Sequence, residues 1–224
     1  MTPRLMPPVR VLLLSAVGTR INPYIGLLRD GLAAAGADVR VSDGLEVGSR
    51  KPEAGSWRLD GWRLDGFQPH VVHLHWLDRY ELPPVLRFAG VRPRLLRRML
   101  TRGGNLPVIY ALRRRARLAR LLRRLAAFQR DGGIVAYTVH NLEPHEEATR
   151  VEQWGSARLV RLADVVHVHD ESTAAELAAR YGRTAGVAVI PHGHYIGCYP
   201  NTLSRAEARE RLGLPPDVFV YACI

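Results

Sequence analysis

The stretches VVHLHW (71–76) and VVHVHD (165–170) share one pattern: a pair of valines, then histidines at alternating positions. A short apolar run rich in β-branched residues reads as a strand buried on both faces, the kind found in a parallel sheet. Alternation places His73 and His75 on one face, and His167 and His169 likewise on one face. VRVLLLS (9–15), ADVRVS (37–42), GIVAYTVH (133–140) and GVAVIPHG (186–193) read as further strands.

Helical stretches separate these runs. Asn22-Pro23 opens the first, with Asn22 as N-cap, Pro23 at the first helical position and an apolar stripe of Tyr24, Leu27, Leu28, Leu32 and Ala35. Another runs from about Pro144 to Leu162. Asp170 or Ser172 caps TAAELAARYG, which Gly182 ends. Ser204 with Glu207 is a capping box for SRAEARERLGL, and PPDVFVYACI then starts a new apolar strand. WRLDG occurs twice between residues 57 and 66, too short for a repeat architecture and read as loop. Strands alternating with helices give an α/β fold: a Rossmann-like parallel sheet with helices on both faces, its ligands at the carboxyl ends of the strands.

The 224 residues suffice for a sizeable core, and no apolar stretch is long enough to span a membrane. The apolar N-terminal run is interrupted by Arg10 and lacks a small-residue cleavage site, so it reads as a strand rather than a signal peptide. Cys198 and Cys223 form no C-x-x-C pair and read as thiols of a reducing compartment. The net charge of +11 concentrates between Arg87 and Arg130, where Leu and Arg recur at helical spacings. Such charge suits a polyanion: an anionic bilayer surface, nucleic acid or phosphorylated substrates. The expected membrane face is Arg97, Arg98, Arg113, Arg114, Arg117, Arg120 and Arg124 with the leucines packing inward; an ordinary amphipathic helix packed on the sheet is the alternative. No aromatic-interleaved basic surface points to nucleic acid.

His-x-His at a strand end has the spacing of zinc ligands. A metal centre would also draw on His140, His145, His192 and His194, with Asp170 or Glu171 as carboxylate. A metal-dependent hydrolase is therefore one alternative. Against it, three pairs exceed the needs of one site, and the first His of each pair falls mid-strand; the expectation is no metal. His140, on the turn after a central strand, is the stronger candidate for chemistry, because a neutral imidazole both donates to and accepts from hydroxyl or diphosphate oxygens. Glu143, His145 and Glu146 follow within a turn. The first strand-to-helix turn has Gly18 but neither G-x-G-x-x-G nor a P-loop, so no dinucleotide fingerprint is present.

NPYIGLLRDGL, HVVHLHW, YTVHNLEPHE, ADVVHVHDESTAAEL and VIPHGHYIGCYPNTLSRAEARERLGL, in this order, resemble the N-terminal domain of a two-domain (GT-B) glycosyltransferase of the family-4-like group. The branch acting in bacterial exopolysaccharide or glycolipid assembly, mannosyltransferases included, is the nearest in pattern. The resemblance implies sugar transfer from a nucleoside-diphosphate sugar, such as GDP-mannose, to a lipid-linked or saccharide acceptor, with retention and no obligatory cofactor or metal. It implies a catalytic role for His140, in the T-x-H-[DN] motif. Gly18, Asn141 and Gly193 would contact the donor diphosphate and sugar; Asn22, Tyr24, His75, Trp76, Glu143 and His145 would contact the acceptor.

The resemblance also divides the chain. Residues 1–200 would form the acceptor-side domain, and residues 201–224 the connection to a donor-binding domain and its first strand. The group's phosphate-binding Arg/Lys pair and E-x7-E motif are absent from these 224 residues, so the expectation is that they do not turn over alone. The implied location is cytoplasmic, peripherally associated with the inner membrane. A non-catalytic membrane- or glycan-binding module is the other alternative.

Overall fold

The computed structural model describes residues 7–15, 23–42, 67–76, 107–140, 142 and 150–221. The strands are β1 (Arg10–Leu14), β2 (Asp38–Ser42), β3 (Val71–His75), β4 (Ile134–Thr138), β5 (Val165–Val168) and β6 (Val187–Val189). The helices are α1 (Tyr24–Ala34), α2 (Pro107–Arg130), α3 (Arg150–Leu162), α4 (Glu171–Tyr181) and α5 (Arg205–Arg211). All six strands are parallel, in the order β2-β1-β3-β4-β5-β6. The fold is the expected Rossmann-like α/β sheet flanked by helices.

The strand order reverses direction once. From β1 the chain steps outward through α1 to β2, and from β3 it steps the other way through α2, α3 and α4 to β6. Right-handed crossovers then place α1 on one face and α2, α3 and α4 on the opposite face. The reversal between β1 and β3 is the topological switch point, where sheets of this kind open a crevice at the strands' carboxyl ends. His75 and Trp76 end β3 at that point, and Tyr24 begins the helix that follows β1.

The core explains why these runs are strands. Leu12, Leu13, Leu14, Val72, Leu74, Val135 and Val166 are fully buried, each apolar side chain contributing about 1.5–3 kcal/mol relative to exposure. Helix α2 packs Leu118, Leu121 and Leu125, three or four residues apart, into the same core. Asp164 closes the turn before β5: its Oδ2 accepts from the Val135 amide at 2.8 Å and from Gln129 Nε2 at 2.9 Å.

Several expected details are revised. Pro23 precedes α1 as its N-cap, its carbonyl accepting the Leu27 amide at 2.9 Å, while Asn22 lies outside the described residues. The buried face of α1 is Tyr24 and Ile25, with Leu28 and Leu32 half-buried; Leu27 is exposed, because one helix can bury only one stripe. Asp170, not Ser172, caps α4, accepting the Thr173 amide at 2.7 Å, and Gly182 ends that helix in the left-handed conformation.

Two compact units divide at residue 192, the first Met1–His192 and the second Gly193–Ile224. In the second, Ser204 and Glu207 form the expected capping box of α5. Arg209 reaches back to the carbonyls of Pro215 and of Val218, the latter at 2.7 Å. Val218 to Tyr221 are exposed and lie outside any strand, because no described segment pairs with them.

Candidate functional site

The carboxyl ends of β3, β4 and β5 carry polar rings at alternating positions, and register brings them together. His75 pairs with Thr138, and Thr138 pairs with His167. In-register residues of parallel neighbours share a face, so His73, His75, Thr138, His140, His167 and His169 gather on one side of the sheet.

The side chains form a continuous hydrogen-bonded chain. His73 Nε2 meets Thr138 Oγ1 at 2.7 Å, and Thr138 Oγ1 meets His167 Nδ1 at 3.1 Å. His167 Nε2 and His169 Nδ1 converge on the Ile190 carbonyl at 3.0 and 3.2 Å. His169 Nε2 meets His140 Nδ1 at 3.4 Å, and His140 Nε2 meets His75 Nδ1 at 3.2 Å. The two ends approach each other: the rings of His73 and His75 have centres 4.3 Å apart.

Aromatic side chains wall this network. The buried ring of Tyr24 sits 4.9 Å from His140, 5.0 Å from His192, and 5.7 Å from both His75 and His169. Trp76 stacks on His140, with centres 4.0 Å apart and planes 8° from parallel. Trp76 adopts φ 47°, a left-handed backbone that bulky residues rarely take and that the surrounding structure must hold in place.

Burial makes these imidazoles poor cation hosts. Desolvation, with His167 nearby, pushes His73 down to about 3; desolvation, with His169 nearby, pushes His140 down to about 3. His75 is driven well below the ordinary histidine value, chiefly by its complete burial. His169 is also lowered by burial, but the Ile190 carbonyl and Asp170 act in the opposite sense. Asp170 is held down to about 2, first by the Ser172 hydroxyl and then by the Thr173 amide. At neutral pH the centre thus offers neutral donors and acceptors, suited to hydroxyls and to polarised oxygens.

Among the described residues, no three His, Cys, Asp or Glu side chains are grouped to hold a metal ion. The hydrogen bonds give a physical reason: ring nitrogens that face one another, or a carbonyl, have their lone pairs and protons engaged.

Of the sequence-derived site residues, Tyr24, His75, Trp76 and His140 come together here. Gly193 is exposed in the second unit. Gly18, Asn22, Asn141, Glu143, His145, Arg97 and Arg98 lie outside the described residues. On α2, Arg120 and Arg124 are exposed, and Arg113 and Arg117 are half-buried. Arg114, expected on the cationic face, is instead buried against Glu152 at 2.9 Å, with its guanidinium over the Tyr110 ring at 5.6 Å. Its position four residues before Leu118 puts it in the leucine stripe rather than beside it.

Sequence reasoning passed over Thr138, which joins the His73 and His167 branches. The signal lay in YTVH: Thr138 and His140 alternate just as His73 and His75 do, so all three strand ends share one polar periodicity. Among the described residues, no helix is long and apolar enough to cross a membrane. Neither the family models nor the curated proteins include a match to this chain.

Proposed function

We propose that this chain is the acceptor-side part of a glycosyltransferase that moves a sugar from a nucleoside-diphosphate sugar to a lipid-linked or saccharide acceptor. The observation that carries the reading is His140. It is a neutral imidazole at the carboxyl end of a central strand, next to the switch point, stacked on Trp76 and bonded to His75 and His169. Sugar hydroxyls need donors and acceptors without net charge, and aromatic faces for their C–H surfaces; this centre supplies both. In this reading His140 meets the donor sugar, and Tyr24, His75 and Trp76 meet the acceptor.

The basic helix gives such a chemistry its place. Arg120 and Arg124 are exposed on α2, while Val108 and Leu112, one turn apart at its start, are 71% and 61% exposed. Cationic and apolar groups on one helix suit the headgroup region of an anionic membrane, where a lipid-linked acceptor would be met.

The test is transfer of labelled sugar. The protein as produced in its own cell is incubated with UDP-, GDP- and dTDP-sugars and either membrane lipids or free saccharides. Label in a lipid or saccharide product supports the reading. Acceptor binding without any transfer points to a binding module, and zinc-dependent hydrolysis points to a metallohydrolase.

A further inference from the structure

One backbone carbonyl sets the protonation pattern of the whole His75–His140–His169 branch. The Ile190 oxygen can only accept, so the His169 nitrogen facing it, Nδ1, carries the proton. A neutral His169 then has a bare Nε2, which accepts from Nδ1–H of His140 at 3.4 Å. His140 in turn has a bare Nε2, which accepts from Nδ1–H of His75 at 3.2 Å. The remaining nitrogen, Nε2 of His75, is left with a lone pair. It is buried and has no hydrogen-bond partner among the described residues. An unmet buried acceptor costs about 1–3 kcal/mol, so the fold maintains at this atom an acceptor that a hydroxyl donor would satisfy.

We infer that Nε2 of His75 is the atom that takes the proton of the acceptor hydroxyl, and that His140 relays a proton outward to His169, whose Nδ1–H donates to the Ile190 carbonyl. The hydroxyl as substrate rests on the sugar-transfer reading; the relay itself does not. In the step, the hydroxyl O–H bond breaks and N–H forms at His75 Nε2. The His75 Nδ1 proton passes to His140 Nε2, and the His140 Nδ1 proton passes to His169 Nε2. The freed oxygen pair forms the new bond to the anomeric carbon, whose bond to the nucleoside diphosphate breaks with its electrons leaving on the diphosphate. One positive charge appears, on His169.

The relay solves a problem that burial creates. An imidazolium at the fully buried His75 position would be unpaired and desolvated, which makes a lone His75 a weak base. His169 is only half-buried, and the Ile190 carbonyl and Asp170 both favour its charged form. The groups facing it are His167 and Asp170 from its own strand end, His140 after β4, His192 after β6, and Tyr24 of α1.

The experiment is long-range proton–nitrogen NMR of the full chain labelled with 15N-histidine. At neutral pH, His75, His140 and His169 are expected to carry their protons on Nδ1. On acidification, protonation of His169 at Nε2 forces His140 and His75 to invert to Nε2–H in the same step, since two N–H groups cannot face each other. His140 found with its proton on Nε2 at neutral pH overturns the relay whatever the titration shows. Protonation of His169 with His140 and His75 keeping their protons on Nδ1 also overturns it. In the transfer assay, His75→Phe is expected to lower kcat about a hundredfold or more with the acceptor KM little changed; a change confined to KM would reduce His75 to a positioning residue. Absence of transfer by the unmodified protein would count against the sugar reading, and the NMR pattern would still decide the relay.

Discussion

The indole of Trp76 lies flat on the imidazole of His140, and it does so from a left-handed backbone with φ 47°. The chain accepts strain at the last residue of the β3 end to bring a large ring over a small one. Removing the indole releases the stack in any variant, but only glycine also releases the strain. Trp76→Gly is therefore expected to be more stable than Trp76→Ala by about 1 kcal/mol, the usual penalty for a side chain in the left-handed region. Urea denaturation of the two variants measures this, and equal midpoints would show that the backbone at 76 is unstrained.

Thr138 ties two histidine branches together through one hydroxyl, which bonds His73 at 2.7 Å and His167 at 3.1 Å. Thr138→Val keeps the shape and removes both bonds, leaving buried ring nitrogens unmet. A loss of about 1–3 kcal/mol is expected, with Thr138→Ser closer to the parent protein. If Val and Ser behave alike in thermal melts, the hydroxyl carries no such load.

Acid should weaken the fold in a window set by histidine. His73 and His140 titrate near 3 in the folded protein against 6.5 ordinarily, and His75 and His169 are lowered as well. Between these values the unfolded chain binds protons that the folded chain refuses, so stability is full above about pH 6.5 and falls as pH drops below it. Each group contributes up to about 1.4 kcal/mol per pH unit within its window. Carboxylates such as Asp170 act only lower, near their ordinary value of 3.8. Urea midpoints that stay level from pH 7.5 to 5 would refute the buried neutral cluster.

Arg114 and Arg120 should part company. Arg114→Gln breaks a pair with Glu152 in which the arginine side chain is 8% exposed, and removes a cation from over Tyr110. A cost of about 3–5 kcal/mol is typical when one partner of a buried ion pair is lost; Glu152 is 23% exposed, so the lower end or less is expected here. Arg120→Gln, on the exposed face, should leave stability within about 0.5 kcal/mol and instead weaken sedimentation with anionic vesicles. Unchanged vesicle binding by Arg120→Gln combined with Arg124→Gln would move membrane contact away from this helix.

Most of the fold can be read from residue patterns alone. Continuous runs such as Val11–Leu14 are strands because nothing polar interrupts them, and Asp170 and Ser204 announce their helices through capping chemistry. What could not be read is whatever depends on which strands are neighbours. Tyr24 gathers rings from β3, β4 and β5 because the sheet order puts those strand ends beside α1, and no local pattern carries that order. Arg114 defied its charge for a related reason: its partner Glu152 is supplied by another helix. Val218–Val220 looks like a strand by composition, yet pairing rather than apolarity makes a strand.

The most direct test of the central claim is the turnover of His140→Ala in the sugar-transfer assay, with thermal melts run beside it. The account predicts a loss of about a hundredfold or more in kcat with the fold retained, as for removal of a group that touches the reacting atoms. Transfer at the parent rate by a folded His140→Ala protein would contradict it.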